Sequence, residues 1–400
     1  MSLERATDGR RSRVKALLLA GLLCLLLSGL SHSRPSPVES DSSPWREAAP
    51  GYQFSFPFDH GAHPDTRIEW WYYTGNLETK AGRRFGYQLT FFRVGVVREP
   101  SNASRWALRD LYMAHFAISD IERRSFRSFE RINRSGVGWA GADVLEQKTP
   151  RDEVRGVKPP TRVWNEDWEA RIEGANHTLR AAEEDWSLDL NLAPAKPEVI
   201  HGENGLSQKG SSPQNASHYY SLTRLESSGR LVLEGESFEV GGLSWMDHEF
   251  GTSFLEDEQV GWDWLSIQLE DGRDLMLFEI RRRDGSIDPR SGGTLIEAGG
   301  RAMHLDHQDF TLAPGQMWRS LNSGAIYPIA WKIESARYGL RLDVTAAFAD
   351  QELRTPESTG VTYWEGSVTT EGVAGNNKVR GRGYLEMTGY AGPSMGAILR

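Results

Sequence analysis

Residues 262–280 read Trp-Asp-Trp-Leu-Ser-Ile-Gln-Leu-Glu-Asp-Gly-Arg-Asp-Leu-Met-Leu-Phe-Glu-Ile. Two apolar-rich runs, Trp262 to Leu269 and Leu275 to Ile280, flank Asp271-Gly272. Asp-Gly between such runs is the strongest short-range hairpin signal available, so the segment is predicted to be a β-hairpin. Asp284-Gly285 continues it as a meander. Period-two alternation places Asp263 on one face with Leu265, Ile267 and Leu269, and Trp262 and Trp264 on the other. Upstream, Phe85, Tyr87, Leu89 and Phe91 likewise share one side of a strand. The two regions echo each other. Trp71-Tyr72-Tyr73 through Asn76-Leu77-Glu78, then Gly82-Arg83 and Phe85, runs in the same order as Trp262 to Leu275: aromatic strand, Leu-Glu, turn, Gly-Arg, apolar strand.

No helical period of comparable length occurs, and 41 glycines with 14 tryptophans suit tight turns between aromatic-bearing strands. A chain of 400 residues exceeds one ordinary domain of ~100–200 residues. The expected architecture is therefore all-β, with two β-barrel domains packed together and joined between ~235 and ~255. The expected segments are a signal peptide over 1–33, a flexible leader over 34–50, an N-terminal domain over 51–245 and a C-terminal domain over 246–400. Lys148 to Lys158 and Gly202 to Ser217, polar and rich in glycine, proline and charge, are expected to be long surface loops.

The first 33 residues set five basic side chains (Arg5, Arg10, Arg11, Arg13, Lys15) against two acids, Glu4 and Asp8, and an apolar run follows from Ala16 to Leu30. That layout is a signal peptide, with an uncleaved membrane anchor as the alternative, and Arg10-Arg11 suits twin-arginine export. Export to the periplasm or outside the cell is expected. The whole chain carries a charge of −9, which supplies no basic face for nucleic acid. The only cysteine, Cys24, falls inside the apolar run, so a mature chain would have neither a disulfide nor a thiolate nucleophile.

Reactive side chains concentrate in Trp245-Met246-Asp247-His248-Glu249-Phe250-Gly251 and in Trp262-Asp263-Trp264. Two acids and an imidazole supply general acid–base groups, and flanking aromatics raise a carboxyl pKa by excluding water. Alternation limits the combination: in a regular strand Asp247 and Glu249 face one way and His248 the other. The same residues also suit a polar network tying two domains together, and Asp263 suits a buried acid bonded to backbone or to an arginine. Glu69 beside Trp70-Trp71-Tyr72-Tyr73 is either an orienting acid or the partner of Arg67 or Arg93, and aromatic strands of this kind also fill cores. His304-Asp306-His307 and Asp247-His248-Glu249 offer metal-ligand types without a zinc-specific spacing, and no metal is expected. No Gly-x-Ser-x-Gly elbow and no phosphate-binding glycine loop is present. Asn102, Asn133, Asn176 and Asn215 stand in Asn-x-Ser/Thr sequences, which matter only in a eukaryotic secretory route.

Five stretches together, Ile68 to Leu77, Asp110 to Phe116, Ala216 to Ser221, Ser244 to Gly251 and Gly261 to Leu269, resemble the AttH-like/CrtC family of bacterial secreted hydrolases and carotenoid 1,2-hydratases. The resemblance runs from about Tyr52 to the end. It implies two lipocalin-like β-barrels and, for the hydratases, water addition across a terminal isoprenoid double bond after an acid protonates the alkene. The family's functional Asp-His pair falls on Asp247 and His248. Glu249 and Phe250 depart from the hydratase pattern and place the chain nearer the secreted-hydrolase branch.

Asp247 is thus expected to donate or orient a proton and His248 to act as general base, with Asp263 and Glu249 as further acids. Trp245, Trp262, Trp264, Phe250, Glu69 and Trp70 are expected to hold an apolar lipid or isoprenoid, with no cofactor. A non-catalytic lipid-binding or transport-accessory protein, associated with a membrane or an ABC transporter, is the alternative.

Overall fold

The computed structural model describes residues 45–392 except 103, 105, 146–159 and 253–254. The expected signal peptide, Cys24, most of the leader and the Lys148 to Lys158 segment lie outside the described residues. Among those described there is no α-helix, only strands and two 3-10 turns, Phe58–His60 and His307–Asp309. One antiparallel sheet contains thirteen strands between Ile68 and Gly251, and a second contains ten between Gln259 and Met387.

Eight strands matter for function. In the first sheet these are β1 (Ile68–Glu78), β2 (Arg84–Gly95), β3 (Ala216–Leu233) and β4 (Glu236–Gly251). In the second they are β5 (Gln259–Leu269), β6 (Asp274–Arg282), β7 (Val361–Ala374) and β8 (Asn377–Met387). Each sheet brings its first strand back against its last: β1 lies between β2 and β4, and β5 lies between β6 and β8. That pairing curls each sheet into a barrel. Side chains close the first barrel's seam, where Asn133 donates to Asn165 Oδ1 at 2.7 Å and Arg131 pairs with Glu183 at 2.7 Å.

The β5–β6 hairpin forms at Asp271-Gly272 as the sequence predicts, with Ile267 opposite Leu275, Trp262 opposite Ile280, and Gly272 in the left-handed region at φ 88°. The change of sheet falls at the end of the expected 235–255 junction and past residues 245/246. β4 runs unbroken through 245/246 because the Trp245–Gly251 motif is hydrogen bonded on both sides, to β1 and to β3, and the chain changes sheet only between Gly251 and Gln259. The leader also ends earlier than expected. Ala48 is buried, Arg46 pairs with Asp65 at 2.8 Å, and the Trp45 ring packs on Gly95. Part of Gly202 to Ser217, expected as a surface loop, is a strand instead: Leu206–Gln208 pairs with the start of β3.

β1 shows why these strands read as almost continuous apolar runs. Glu69, Trp71, Tyr73 and Leu77 face the first barrel's interior, whereas Trp70, Tyr72, Thr74 and Asn76 face the second barrel, so both faces are buried. The second barrel repeats this arrangement, with Leu265, Ile267 and Leu269 inside and Trp262 and Trp264 toward the first barrel. Between the barrels lies a shared apolar layer holding Ile68, Phe92 and Met113 from one sheet and Ile280, Leu353 and Tyr363 from the other. At ~1.5–3 kcal/mol for each large side chain fully buried, that layer fastens the barrels to each other. Polar contacts fix its register: Asn76 donates to the Gly383 carbonyl at 3.0 Å, and Lys196 and Arg224 both pair with Asp274.

Candidate functional site

A cleft enclosing about 90 Å³ opens between the barrels, and all eight numbered strands line it. The lining side chains come in i, i+2 pairs, as one face of a pleated strand requires: Trp70 and Tyr72, Asp247 and Glu249, Trp262 and Trp264, Phe278 and Ile280, Tyr363 and Glu365. Strand register aligns them into rows. In the first barrel one row runs Phe92, Trp70, Glu249, Tyr219, and the next runs Thr90, Tyr72, Asp247, Ser221. The second barrel answers with Phe278, Trp264, Glu386, Glu365.

Three carboxyls in this aromatic setting bind their protons more tightly than usual. Burial pushes Asp247 up to about 7, with the charge of Glu249 adding to it, against hydrogen bonds from Ser221, from Tyr219 at 2.7 Å and from Trp245 Nε1 at 2.6 Å. Burial likewise raises Glu386 to about 8, opposed by the Trp262 indole N–H at 3.0 Å and reinforced by Asp247 and Glu249. Glu365, directly across the strand pair from Glu386, is raised well above the carboxylate range by burial and by the Glu386 charge, although the Tyr72 hydroxyl donates to it. A carboxyl that stays neutral near pH 7 is a proton donor, and one titrating near 7 while held by three donors is suited to accept a proton. Lys209 pairs with Glu249 at 2.9 Å and lies over the Phe278 ring at 4.8 Å, closing one side of the cleft.

The sequence-predicted residues divide among three places. Asp247, Glu249, Trp70, Trp262 and Trp264 line the cleft, and Trp245 lies behind Asp247, to which it donates. His248, Glu69 and Phe250 do not reach it, because alternation along β4 and β1 turns them into the first barrel. There His248 Nε2 meets Glu69 Oε1 at 2.9 Å, stacks on Trp71 and bonds the Tyr220 hydroxyl, while Phe250 stacks on His63 with ring centroids 3.5 Å apart. Asp263 faces the second barrel's interior beside Leu265, paired with Arg281 at 3.0 Å and raised to about 6 by burial against that charge. The arginine-paired reading of Asp263 is the one the structure bears out.

Sequence reasoning missed Tyr72, Tyr219, Tyr363, Glu365, Glu386 and Lys209. The two glutamates sit on strands more than a hundred residues downstream of the motif, and only the second barrel's register places them opposite it. Their local signal was a buried-type strand pattern carrying an acid, Tyr363-Trp364-Glu365 and Tyr384-Leu385-Glu386.

One ligand atom from each of His63, Glu69 and His248 lies within 4.8 Å of the other two, a set of metal-ligand types. Each is already engaged. His63 Nδ1 is 2.7 Å from Glu69, His63 Nε2 is 3.1 Å from Asp59, and Arg93 pairs with Glu69 at 3.0 Å. Burial favours a neutral Glu69, but the charges of Arg93 and His63 and the bonds from His248 and His63 outweigh it and hold the carboxyl well below its usual range. The charge of Glu69 is thus balanced from within the chain.

Two antiparallel barrels joined through a shared layer, with an acid-bearing aromatic cleft between them, define a double-barrel protein of the lipocalin-like class. The chain belongs to the AttH-like family, whose model matches residues 47–390. A protein from Nitrosomonas europaea assigned as AttH is 35% identical, with 86% of this chain and 99% of that one aligned at a TM-score of 0.76. Kievitone hydratase from Nectria haematococca shares the fold at 13% identity, with 88% of this chain and 97% of that one aligned at a TM-score of 0.64. No curated protein matches the chain.

Proposed function

We propose that the chain adds water to, or removes it from, a carbon–carbon double bond of an apolar, isoprenoid-like ligand bound between the barrels. The convergence of Asp247, Glu365 and Glu386, all with raised pKa, on one aromatic-lined cleft carries this reading. Glu386 gives its proton to one alkene carbon, and the π pair becomes the new C–H bond. The cation left on the other carbon lies against the faces of Trp262 and Trp264. Water attacks that carbon, its released proton goes to Asp247, and exchange with solvent restores both carboxyls. Fold likeness to kievitone hydratase is consistent with hydration as the reaction class.

Incubating the purified protein with isoprenoid alkenes in ¹⁸O water, followed by mass spectrometry, tests this. A product heavier by one labelled water is expected from the unaltered chain. Glu386→Gln and Asp247→Asn should each reduce it by ~10²-fold or more. Ligand binding without any labelled product, weakened by Trp262→Ala, would instead make the chain a lipid carrier. Export remains our proposal for the basic-then-apolar first 33 residues, and N-terminal sequencing of protein recovered outside the cytoplasm checks it.

A further inference from the structure

In the cleft and beside it, four buried polar atoms have no hydrogen-bonding partner among the described residues: Thr74 Oγ1, Gln88 Oε1, Glu365 Oε2 and the Tyr384 hydroxyl. All four residues are at most 1% exposed. They belong to one region. Thr74 and Gln88 are direct neighbours across β1 and β2, and Gln88 and Glu365 both line the cleft. Tyr384 stands two residues before Glu386 on β8, and its ring lies 3.6 Å from where a Cβ on Gly86 would sit, two residues before Gln88. Leaving a buried polar atom unmet costs ~1–3 kcal/mol, so four in one place indicate an occupant.

Their chemistry selects it. Gln88 already gives its amide N–H to Thr90 Oγ1 at 2.5 Å, so its Oε1 can only accept. Glu365 receives the Tyr72 hydroxyl on Oε1, and its protonated acid form offers a donor at Oε2. The Tyr384 and Thr74 hydroxyls both donate and accept. An occupant must therefore donate to Gln88 while accepting from Glu365. A carbonyl leaves Gln88 unmet and a hydrocarbon leaves both, whereas a hydroxyl donates and accepts alike.

We propose that Gln88 and Glu365, with the Thr74 and Tyr384 hydroxyls beside them, form a subsite for one hydroxyl oxygen, either the O–H of a bound alcohol or a single held water. The inference rests on the hydratase reading, in which the water consumed and the alcohol formed are one oxygen before and after reaction. It adds to that reading a place for the oxygen and a preference for ligands carrying a hydroxyl at the leading end.

Tryptophan-fluorescence titration with geraniol, geranial and the hydrocarbon 2,6-dimethyl-2,6-octadiene, together with a crystal structure of the ligand-free protein, tests it. If the oxygen belongs to the ligand, geraniol binds at least ~10-fold more tightly than the other two. Gln88→Leu or Tyr384→Phe, each checked for folding by circular dichroism, should remove most of that preference. If the oxygen is a held water, the crystal structure shows one ordered oxygen bonded to Gln88 Oε1 and Glu365 Oε2, and the three probes show no preference. Absence of that oxygen together with absence of any preference, whether all three bind alike or none binds, overturns the proposal. Repeating the titration in Glu386→Gln separates the two claims: labelled-water turnover reports the acid, while the geraniol preference or the ordered water reports the subsite.

Discussion

Asp247 and His248 share a peptide bond, yet β4 turns them to opposite faces, one into the cleft and the other into the first barrel. The two side chains therefore face different compartments. His248→Gln is expected to break the Glu69 and Tyr220 contacts and cost ~1–3 kcal/mol in urea denaturation, with turnover per folded molecule retained. A folded His248→Gln protein without turnover would restore the general-base role. In the proposed reaction Asp247 and Glu386 set the pH response: turnover would need Asp247 ionised, and so rise as pH passes about 7, and Glu386 protonated, and so fall as pH passes about 8. A narrow bell between those limits is expected in the pH profile of kcat/KM. Asp247→Asn should lose the acid limb together with most of the rate.

Strand alternation made much of the site legible. It separated Asp263 from Trp262 and Trp264 and separated Glu249 from His248, and the structure keeps both divisions. It also corrects the internal echo. Trp71 lies inside the first barrel while Trp262 faces the interface, so matching them reverses the faces. Glu69-Trp70 and Asp263-Trp264 are the pairs that preserve them: each acid points inward to an arginine, Arg93 or Arg281, and each tryptophan points into the cleft. Glu365, Glu386 and Lys209 were not legible, because a strand pattern shows which residues share a face and not which distant face meets it. The same applies to Gly86, which lets β2 approach β7. A Cβ there would lie 2.9 Å from Ser367 Cβ, so Gly86→Ala must push the barrels apart. A loss of ~1–3 kcal/mol is expected, read as a lower urea midpoint. An unchanged midpoint would mean the interface yields at that point without cost.

The molecule as a whole joins two barrels through a layer that carries buried acids, and this arrangement makes the joint sensitive to pH. Asp247, Glu365 and Glu386 all have folded pKa values above the ordinary carboxylate range, caused first by burial. An acid of this kind stabilises the fold fully below its unfolded pKa, and the contribution is lost as pH rises through the folded value. The window for Glu386 therefore runs from about 4.5 to about 8, and each unit of separation is worth about 1.4 kcal/mol. His63, raised by Glu69 and Asp59 against its burial, loses its contribution in the same direction. Glu69 acts oppositely: its carboxyl is held low, so its contribution is present above its ordinary pKa and fades only as pH falls below that. Stability measured by urea denaturation should therefore peak at mildly acidic pH and decline toward about pH 8. Glu386→Gln, which removes one titrating acid from the interface while keeping an acceptor for the Trp262 N–H, should flatten that decline. Because the apolar layer draws residues from both sheets, the loss should appear as earlier unfolding of the whole described chain rather than of one barrel. Stability that rose steadily from pH 5 to pH 8 in the unaltered protein would show that these carboxyls are ionised and compensated in the fold, and the proton donor would then have to be sought elsewhere.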